Sequence, residues 1–243
     1  MLPYTKSVMN NELKKKSFWK RLNNPNYEKG MGDYALTMDS EIINALIPKS
    51  LKGKFALDYP CGMGRHTKLL IKAGYTVHCG DINEFMLQSV SKKYKCYTFT
   101  QDIFQNWHEK QMYDLVLCSR LIFHYENSEE ILRKLSKVLK SEGILIFDSL
   151  NKWSVRYVIH KMLSLFGLNL LFPNENLYFT TEKDMKHKLA GTGFRVVKIT
   201  SAYILPTRMY RIFPKIGFRF ISAIEKRFSF IPKTMDFWCV VKG

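Results

Sequence analysis

The sequence predicts an α/β fold in which a mostly parallel sheet carries helices on both faces. Three observations predict it. Short apolar runs alternate with helical patterns from about residue 54, a glycine-containing turn follows the first run, and acidic residues end the first runs. Such alternation produces βαβ units, and these form parallel sheets that helices cover. The chain of 243 residues is long enough for one domain with embellishments.

The predicted elements follow one another in a regular order. Seven strands are expected, at Phe55–Asp58, Thr76–Cys79, Cys96–Phe99, Tyr113–Cys118, Gly143–Phe147, Phe194–Thr200 and Phe237–Val241. The helices between them are expected at Arg65–Ala73, Asn83–Lys93, Ser128–Lys140 and Thr181–Ala190. Asn83 and Ser128 are the residue types that cap helix N-termini, and we expect each to cap its helix.

Two long stretches interrupt the alternation and define the expected organisation. Residues 1–35 form a basic N-terminal segment or cap, 36–150 the first part of the core, and 151–180 an insertion or lid. Residues 181–243 complete the core and contain a second insertion, 203–233. If the sixth strand is parallel, both insertions leave the sheet at its carboxyl edge, where open α/β sheets bind ligands. The insertions, and the N-terminal segment with them, are therefore expected to roof one active site.

The strongest chemical signal is the run Asp58-Tyr59-Pro60-Cys61-Gly62-Met63-Gly64-Arg65, where a strand turns into a helix. Glycines let the backbone approach a ligand closely, and the helix N-terminus offers free N–H groups. A dinucleotide-binding fold needs a third glycine, and Thr67 stands in its place, which weakens the nicotinamide interpretation.

Acidic residues end the next two strands. Asp81, followed by Ile82, comes twenty-three residues after Asp58, at a position where a carboxylate accepts hydrogen bonds from both hydroxyls of a ribose. Asp102, followed by Ile103, ends the third strand. The carboxyl ends of parallel strands meet at one edge, so the three carboxylates are expected to converge there.

These residues resemble the motifs of the class I S-adenosylmethionine (SAM)-dependent methyltransferases. The family's first motif is commonly Asp/Glu-x-Gly-Cys-Gly-x-Gly, and Pro60 replaces its first glycine. The resemblance implies a Rossmann-like, seven-stranded sheet with an antiparallel last strand, and SAM as cofactor. It assigns the SAM ribose to Asp81 and the adenine amine to Asp102, with an apolar neighbour against the ring. The implied cofactor-binding residues are Asp58, Tyr59, Cys61, Gly62, Gly64, Arg65, Asp81, Ile82, Asp102, Ile103 and Ser119.

The exit of the fourth strand, Ser119 to Tyr125, resembles the family segment that often holds a histidine near the methyl acceptor. His124 is the candidate catalytic residue, as a general base for a hydroxyl acceptor, because its ordinary pKa lies near physiological pH. The alternative is a histidine that only lines the pocket or packs. The exit lacks an Asn/Asp-Pro-Pro-Tyr motif, which disfavours methylation of base amines, and no metal site is predicted.

The net charge of +17 is concentrated in the flanks of the chain: residues 31–150 carry only +1, whereas residues 1–30, 151–202 and 203–233 carry +5, +5 and +6. The segments 153–172 and 203–233 also interleave aromatic with basic residues. This composition is typical of segments that lie at an anionic membrane surface. RNA binding, a lid with its own small core, and basicity without any anionic partner remain alternatives.

The five scattered cysteines and the absence of a legible signal peptide predict a cytoplasmic protein, with peripheral attachment to the inner membrane face left open.

The apolar–basic insertion after strand five looks like that of the ubiquinone-pathway O-methyltransferases. We therefore expect methyl transfer to a small-molecule acceptor, at a hydroxyl of a lipophilic or lipid-linked compound such as a quinone precursor or glycan intermediate. An RNA methyltransferase and a SAM-binding module without turnover are the alternatives.

Overall fold

The structure is a computed structural model that describes residues 6–24, 33–49, 53–107, 112–168, 177–204 and 218–243. Parts of the predicted segments 1–35, 151–180 and 203–233 lie outside these residues, as do Arg208, Tyr210, Arg211, Phe213 and Lys215. The elements in chain order are α1 (Lys6–Arg21), α2 (Asp33–Leu46), β1 (Phe55–Asp58), α3 (Thr67–Lys72), β2 (Thr76–Asp81), α4 (Glu84–Lys93), β3 (Tyr97–Thr100), β4 (Tyr113–Cys118), α5 (Ser128–Val138), β5 (Leu139–Asn151), α6 (Val155–Leu165), β6 (Phe179–Thr180), α7 (Glu182–Gly191), β7 (Phe194–Ala202), α8 (Phe218–Arg227) and β8 (Met235–Lys242).

The sheet has the strand order β3-β2-β1-β4-β5-β8-β7, with β6 beside the end of β5. Strands β1 to β5 pair in parallel, and β8 pairs antiparallel with both β5 and β7. Strand β7 therefore runs parallel to β5. The predicted mostly parallel sheet with an antiparallel last strand is confirmed, and the two-residue β6 adds an eighth strand that was not predicted.

Two apolar cores cover the two faces of this sheet. Adjacent residues of β1, Ala56 and Leu57, pack into different cores, as the alternation of side chains along a strand requires. The helical residues in the two cores include Ile43, Leu70 and Val90 on one face and Ile131, Leu135 and Leu189 on the other. Helices therefore lie on both faces, as predicted.

Of the two predicted helix caps, Asn83 is confirmed and Ser128 is wrong. The side chain of Asn83 accepts a hydrogen bond from the backbone N–H of Met86, which confirms it as the cap of α4. The cap of α5 is Asn127 and not Ser128, as its side chain accepts from the N–H of Glu130. Ser128 instead accepts a hydrogen bond from Lys188 at 2.9 Å, which joins α5 to α7.

Strand β5 is the longest strand and extends well beyond the predicted Gly143–Phe147. Its length is explained by its partners, because β4 and β8 pair along its two sides and β6 pairs with its last two residues. The start of β8, Met235, pairs with Leu150 of β5 and with Ala202 of β7. Both insertions therefore begin at the carboxyl edge of the sheet. In the described part of the chain, no helix is long and apolar enough to span a membrane.

Candidate active site

The loop between β1 and α3 takes a backbone conformation that depends on its glycines. Gly62 and Gly64 have φ angles of 52° and 80°, in the region that disfavours residues with a Cβ. A Cβ on Gly64 would lie 2.8 Å from the ring of Tyr94, whereas a Cβ on Gly62 would meet nothing closer than 4.0 Å. Packing against Tyr94 therefore leaves no room for a side chain at Gly64. The backbone at Gly62 instead borders an open space, which we call the Gly62 cradle.

Asp81 ties the end of β2 to this loop. Its carboxylate accepts one hydrogen bond from the backbone N–H of Gly62 and one from that of Asn83, each at 2.9 Å. Burial raises the pKa of Asp81, while these donors hold it down. Each oxygen of a carboxylate has two acceptor sites, so these two bonds leave further acceptor capacity.

The end of β3 is joined to β1 in the same way. The hydroxyl of Tyr59 donates a hydrogen bond to the carbonyl of Gln101 at 3.0 Å, and one oxygen of Asp102 accepts from the N–H of Phe104 at 3.0 Å. Ile103 is buried in one of the two cores. The predicted residues at the ends of β1, β2 and β3 are therefore brought to one edge.

Asp58 has a different environment from the other two carboxylates. Its carboxylate accepts a hydrogen bond from the hydroxyl of Thr67 at 2.7 Å, and its exposed fraction is only 1%. This bond fastens α3 to the end of β1 and positions the loop between them. Thr67, which occupies the place of a third glycine, thus contributes to the loop through its hydroxyl.

A group of buried and half-buried polar residues, which we call the Arg120 cluster (Asp39, Arg65, Arg120, Asp148 and Tyr203), lies beside the loop. The guanidinium of Arg120 donates to Asp39 at 2.5 Å, and its backbone N–H donates to Asp148 at 2.7 Å. Arg65 lies 3.5 Å from the same oxygen of Asp39, and the hydroxyl of Tyr203 donates to that carboxylate. The cluster joins α2, the β1 loop, the β4 exit and the end of β5.

Of the Arg120 cluster, only Arg65 was selected from the sequence. Asp148 directly follows the predicted strand Gly143–Phe147. The criterion of an acidic residue at the end of a parallel strand, which selected Asp81 and Asp102, would therefore also have selected Asp148. Ser119, which was predicted, donates to Asp148 at 3.1 Å. Asp39 and Tyr203 offered no such signal, because their partners are distant in the chain.

His124 lies in a short 3-10 helix, Ile122–His124, after β4. Burial, with smaller contributions from Lys15 and Arg120, lowers the pKa of His124 to about 3. The imidazole is therefore neutral at neutral pH, and its conjugate acid is too strong for efficient proton abstraction from a hydroxyl. This environment favours the alternative in which His124 lines the pocket, and the general-base role stays a prediction.

Helix α1 packs against the same edge. Lys16 forms an ion pair with Asp102, and the ammonium of Lys15 donates to the carbonyl of His124 at 2.7 Å. The ring of Trp19 contacts the imidazole of His124, with 5.5 Å between centroids. None of these α1 residues was selected from the sequence. In the described residues, no group of three or more His, Cys, Asp or Glu is arranged to hold a metal ion.

Known proteins share this fold or resemble this sequence. Residues 57–147 match the family model of a methyltransferase domain. The ubiquinone biosynthesis O-methyltransferase of Coxiella burnetii is 25% identical over 170 residues, which cover 65% of this chain and 71% of the relative. That of Rickettsia canadensis is 20% identical over 177 residues, covering 70% and 75%. The magnesium protoporphyrin IX methyltransferase of Synechocystis, with bound SAH, superposes with a TM-score of 0.67 at 18% identity, covering 96% and 100%.

The sheet order, the glycine loop and the acidic strand ends define an enzyme that transfers the methyl group of SAM. With a methyltransferase family model over its central part and this fold, the chain is a SAM-dependent methyltransferase. The residues present fit that cofactor, because Gly62 leaves space beside the backbone and Asp81 retains acceptor capacity for ribose hydroxyls. Asp102 supplies a carboxylate of the kind that an adenine amine requires.

Proposed function

We propose that the enzyme methylates a hydroxyl of a lipophilic or lipid-linked small molecule, such as a quinone precursor or glycan intermediate, at an anionic membrane surface. The observation that carries this proposal is an exposed apolar surface, flanked by cations, on the insertions at the carboxyl edge. Soluble proteins seldom expose large apolar residues in groups, and groups of this kind mark interaction surfaces. The names of the curated relatives support small-molecule O-methylation in general terms.

The first part of this surface is α6 with its flanks. No described residue of α6 is buried, although the helix is rich in apolar side chains. The exposed fractions of Leu165 and Phe166 are 83% and 79%. Lys152 and Lys161 are exposed beside them. The exposed apolar residues are Trp153, Val158, Ile159, Met162, Leu165, Phe166 and Leu168.

The second part belongs to α8 and the residues that follow it. Phe220 and Phe230 have exposed fractions of 71% and 78%, and Ile224 and Phe228 are exposed as well. Arg227 is exposed among them. Apolar side chains with neighbouring cations suit insertion at the boundary between acyl chains and anionic headgroups.

The α6 surface is connected to the acceptor side of the site. The ring of Tyr157 in α6 packs on Phe179 of β6, with 4.8 Å between centroids. Tyr178, the residue before Phe179, donates its backbone N–H to the carbonyl of Phe123, which directly precedes His124, at 2.9 Å. The α6 surface and the β4 exit are therefore neighbours, joined through β6 and the residue before it.

In this reaction the main role of the protein is to bind and orient SAM and the acceptor. SAM supplies a methyl group on a positively charged sulfur, which is already activated for displacement. The loop at Gly62 and the carboxylates of Asp81 and Asp102 would hold the nucleoside end, while the β4 exit would orient the acceptor hydroxyl. Proximity and exclusion of water then provide most of the rate. With a pKa of about 3, His124 would serve as a neutral hydrogen-bond acceptor for that hydroxyl.

The acceptor class is tested by incubating the enzyme with methyl-labelled SAM and separate lipid, sugar-nucleotide and RNA fractions. The proposal expects label in a lipid fraction, in a linkage that resists alkali as an ether does. Label in RNA, together with steeply salt-dependent RNA binding, would establish the nucleic-acid alternative. SAM binding without label in any fraction would indicate a module that does not turn over.

The membrane surface is tested by flotation with vesicles of phosphatidylglycerol and of phosphatidylcholine. We expect the protein to float with the anionic vesicles, and the double variant L165S/F166S to lose most of this binding. Val197→Ser is the matched control, because Val197 is exposed on β7, outside both insertions. Equal flotation of all three proteins, or none at low salt, would contradict the membrane part of the proposal.

A further inference from the structure

Helix α1 has two distinct faces, although its second half is strongly basic. Lys15, Lys16 and Trp19 face the sheet and make the contacts with the active-site edge. Lys14, Phe18 and Arg21 follow the i, i+4, i+7 spacing of a single helix face, and all three are exposed. The two faces make it practical to change one lysine that contacts the site and one that does not.

The face of α1 that contacts the sheet includes a residue paired with Asp102, the carboxylate proposed to bind the adenine amine. The ammonium of Lys16 pairs with one oxygen of Asp102, and the other oxygen accepts the N–H of Phe104. An adenine amine is also a hydrogen-bond donor, and it needs an acceptor at this position. Lys16 and the adenine amine are therefore two donors for one carboxylate.

The end of α1 is fastened to the neighbouring strand end. The side-chain amide of Asn83 donates to the carbonyls of Trp19 and Leu22, at 2.7 and 2.9 Å. These carbonyls lie in the last turn of α1 and directly after it, where helix carbonyls take partners from outside the helix; that of Trp19 also accepts the backbone N–H of Leu22 at 3.4 Å. Asn83 also donates its backbone N–H to Asp81. The helix therefore bridges the ends of β2 and β3.

The same helix also covers the acceptor side. Lys15 holds the carbonyl of His124, and Trp19 packs against its ring. Lys15 lies over the ring of Tyr178 as well, 5.1 Å from the centroid. One helix thus extends from the proposed adenine position to the proposed acceptor position, and its movement would open both.

We propose that α1 is a built-in lid whose Lys16 competes with the cofactor for Asp102. Binding of the adenine amine replaces the ammonium, releases the helix from β3 and loosens it over the acceptor side. The ion pair is weak enough for this exchange, because 32% of the Lys16 side chain is exposed. A protein that is competent to bind only when the lid is released shows a correspondingly reduced affinity. The inference rests on the proposed role of Asp102, and it is independent of the acceptor.

The test is isothermal calorimetry with SAH and SAM on the full chain. Lys16→Met removes the competitor, and we expect a dissociation constant about twofold to fivefold lower than that of the wild type. Lys14→Met makes the same change on the outer face and should leave the affinity unaltered. Lys16→Arg keeps the cation and should bind as the wild type does. Equal or weaker binding by Lys16→Met would overturn the inference.

A second measurement follows the helix itself. Acrylamide quenching of Trp19, obtained as the difference between the wild type and Trp19→Phe, should increase when SAH saturates the protein. In Lys16→Met the quenching should already be high without SAH. Unchanged or reduced quenching on saturation would contradict release of α1. Asp102→Leu removes both acceptor oxygens and separates the two ideas: if it binds SAH normally, the adenine assignment fails, whereas weak binding with no effect of Lys16→Met rejects the lid alone.

Discussion

The carboxylate of Asp81 accepts the backbone N–H of Gly62 at 2.9 Å, and this bond, with that from Cys61 N–H to the carbonyl of Gly80 at 3.0 Å, holds the loop after β1 to the end of β2. The residues are nineteen apart in sequence, and only adjacent parallel strands bring them into contact. The bond to Asp81 fixes the Gly62 cradle relative to the carboxylate that would bind the ribose. Cofactor binding is therefore expected to depend on both residues together.

Replacing Asp81 with alanine should weaken SAM binding by about 1–3 kcal/mol, the value of a hydrogen bond to a charged group together with its buried partner. Calorimetry measures this loss directly. Asp114→Ala is the control, because Asp114 pairs with Lys140 near the start of β4, at the opposite edge. If Asp81→Ala binds SAM as tightly as Asp114→Ala does, the ribose assignment is incorrect.

Gly64→Ala should destabilise the fold by more than Gly193→Ala, although both glycines have a φ of 80°. The left-handed conformation costs about 1–2 kcal/mol at either site when a Cβ is added. At Gly64 the added Cβ also meets the ring of Tyr94 at 2.8 Å, whereas at Gly193 nothing lies within 4 Å. Overpacking adds roughly 1–3 kcal/mol at Gly64. Urea denaturation of both variants measures the difference, and equal losses would show that Tyr94 moves aside freely.

Much of this architecture was predictable because its signals are local. Hydrophobic runs predict where the strands lie, and their alternation with helices predicts that most strands are parallel. The acidic residues that end these runs and the glycine turn then indicate the edge that holds the site. The Arg120 cluster was not predictable in the same way, because Asp39 and Arg120 are eighty-one residues apart and meet only through tertiary packing. Likewise, the basic sequence of α1 gives no sign that Lys16 would pair with Asp102.

His124 shows the limit of arguing from residue type alone. Histidine near the β4 exit suggested a base, since an ordinary imidazole titrates near neutral pH. In the structure His124 is half-buried and enclosed by its surroundings, with Lys15 and Arg120 as neighbouring cations, and this desolvation lowers its pKa to about 3. Burial and neighbouring charge depend on the packing of α1 and the β4 exit, which the local sequence does not reveal.

Stability should therefore fall as the pH falls below about 6.5, the ordinary pKa of an unfolded histidine. Between that value and the folded pKa of about 3, the unfolded chain binds one more proton at His124 than the folded chain does. At pH 5 the resulting loss is about 2 kcal/mol relative to pH 7. His124→Gln should remove this part of the pH dependence, as measured by urea denaturation at both pH values. A variant with an unchanged pH dependence would mean that His124 titrates normally in the folded protein.

Arg120→Met tests whether the Arg120 cluster stabilises the packing of α2 against the β1 loop, the β4 exit and the end of β5. The substitution keeps the apolar stem but leaves buried Asp148 without its cation and Asp39 with only the more distant Arg65, which should cost about 3–5 kcal/mol. Arg133→Met is the matched control, because Arg133 pairs with Glu129 on the exposed surface of α5 and should cost about 0.3–0.5 kcal/mol. Urea denaturation distinguishes these values easily. A loss at Arg120 as small as that at Arg133 would mean that water reaches the two carboxylates, and the cluster would then be part of the open pocket and not of its support.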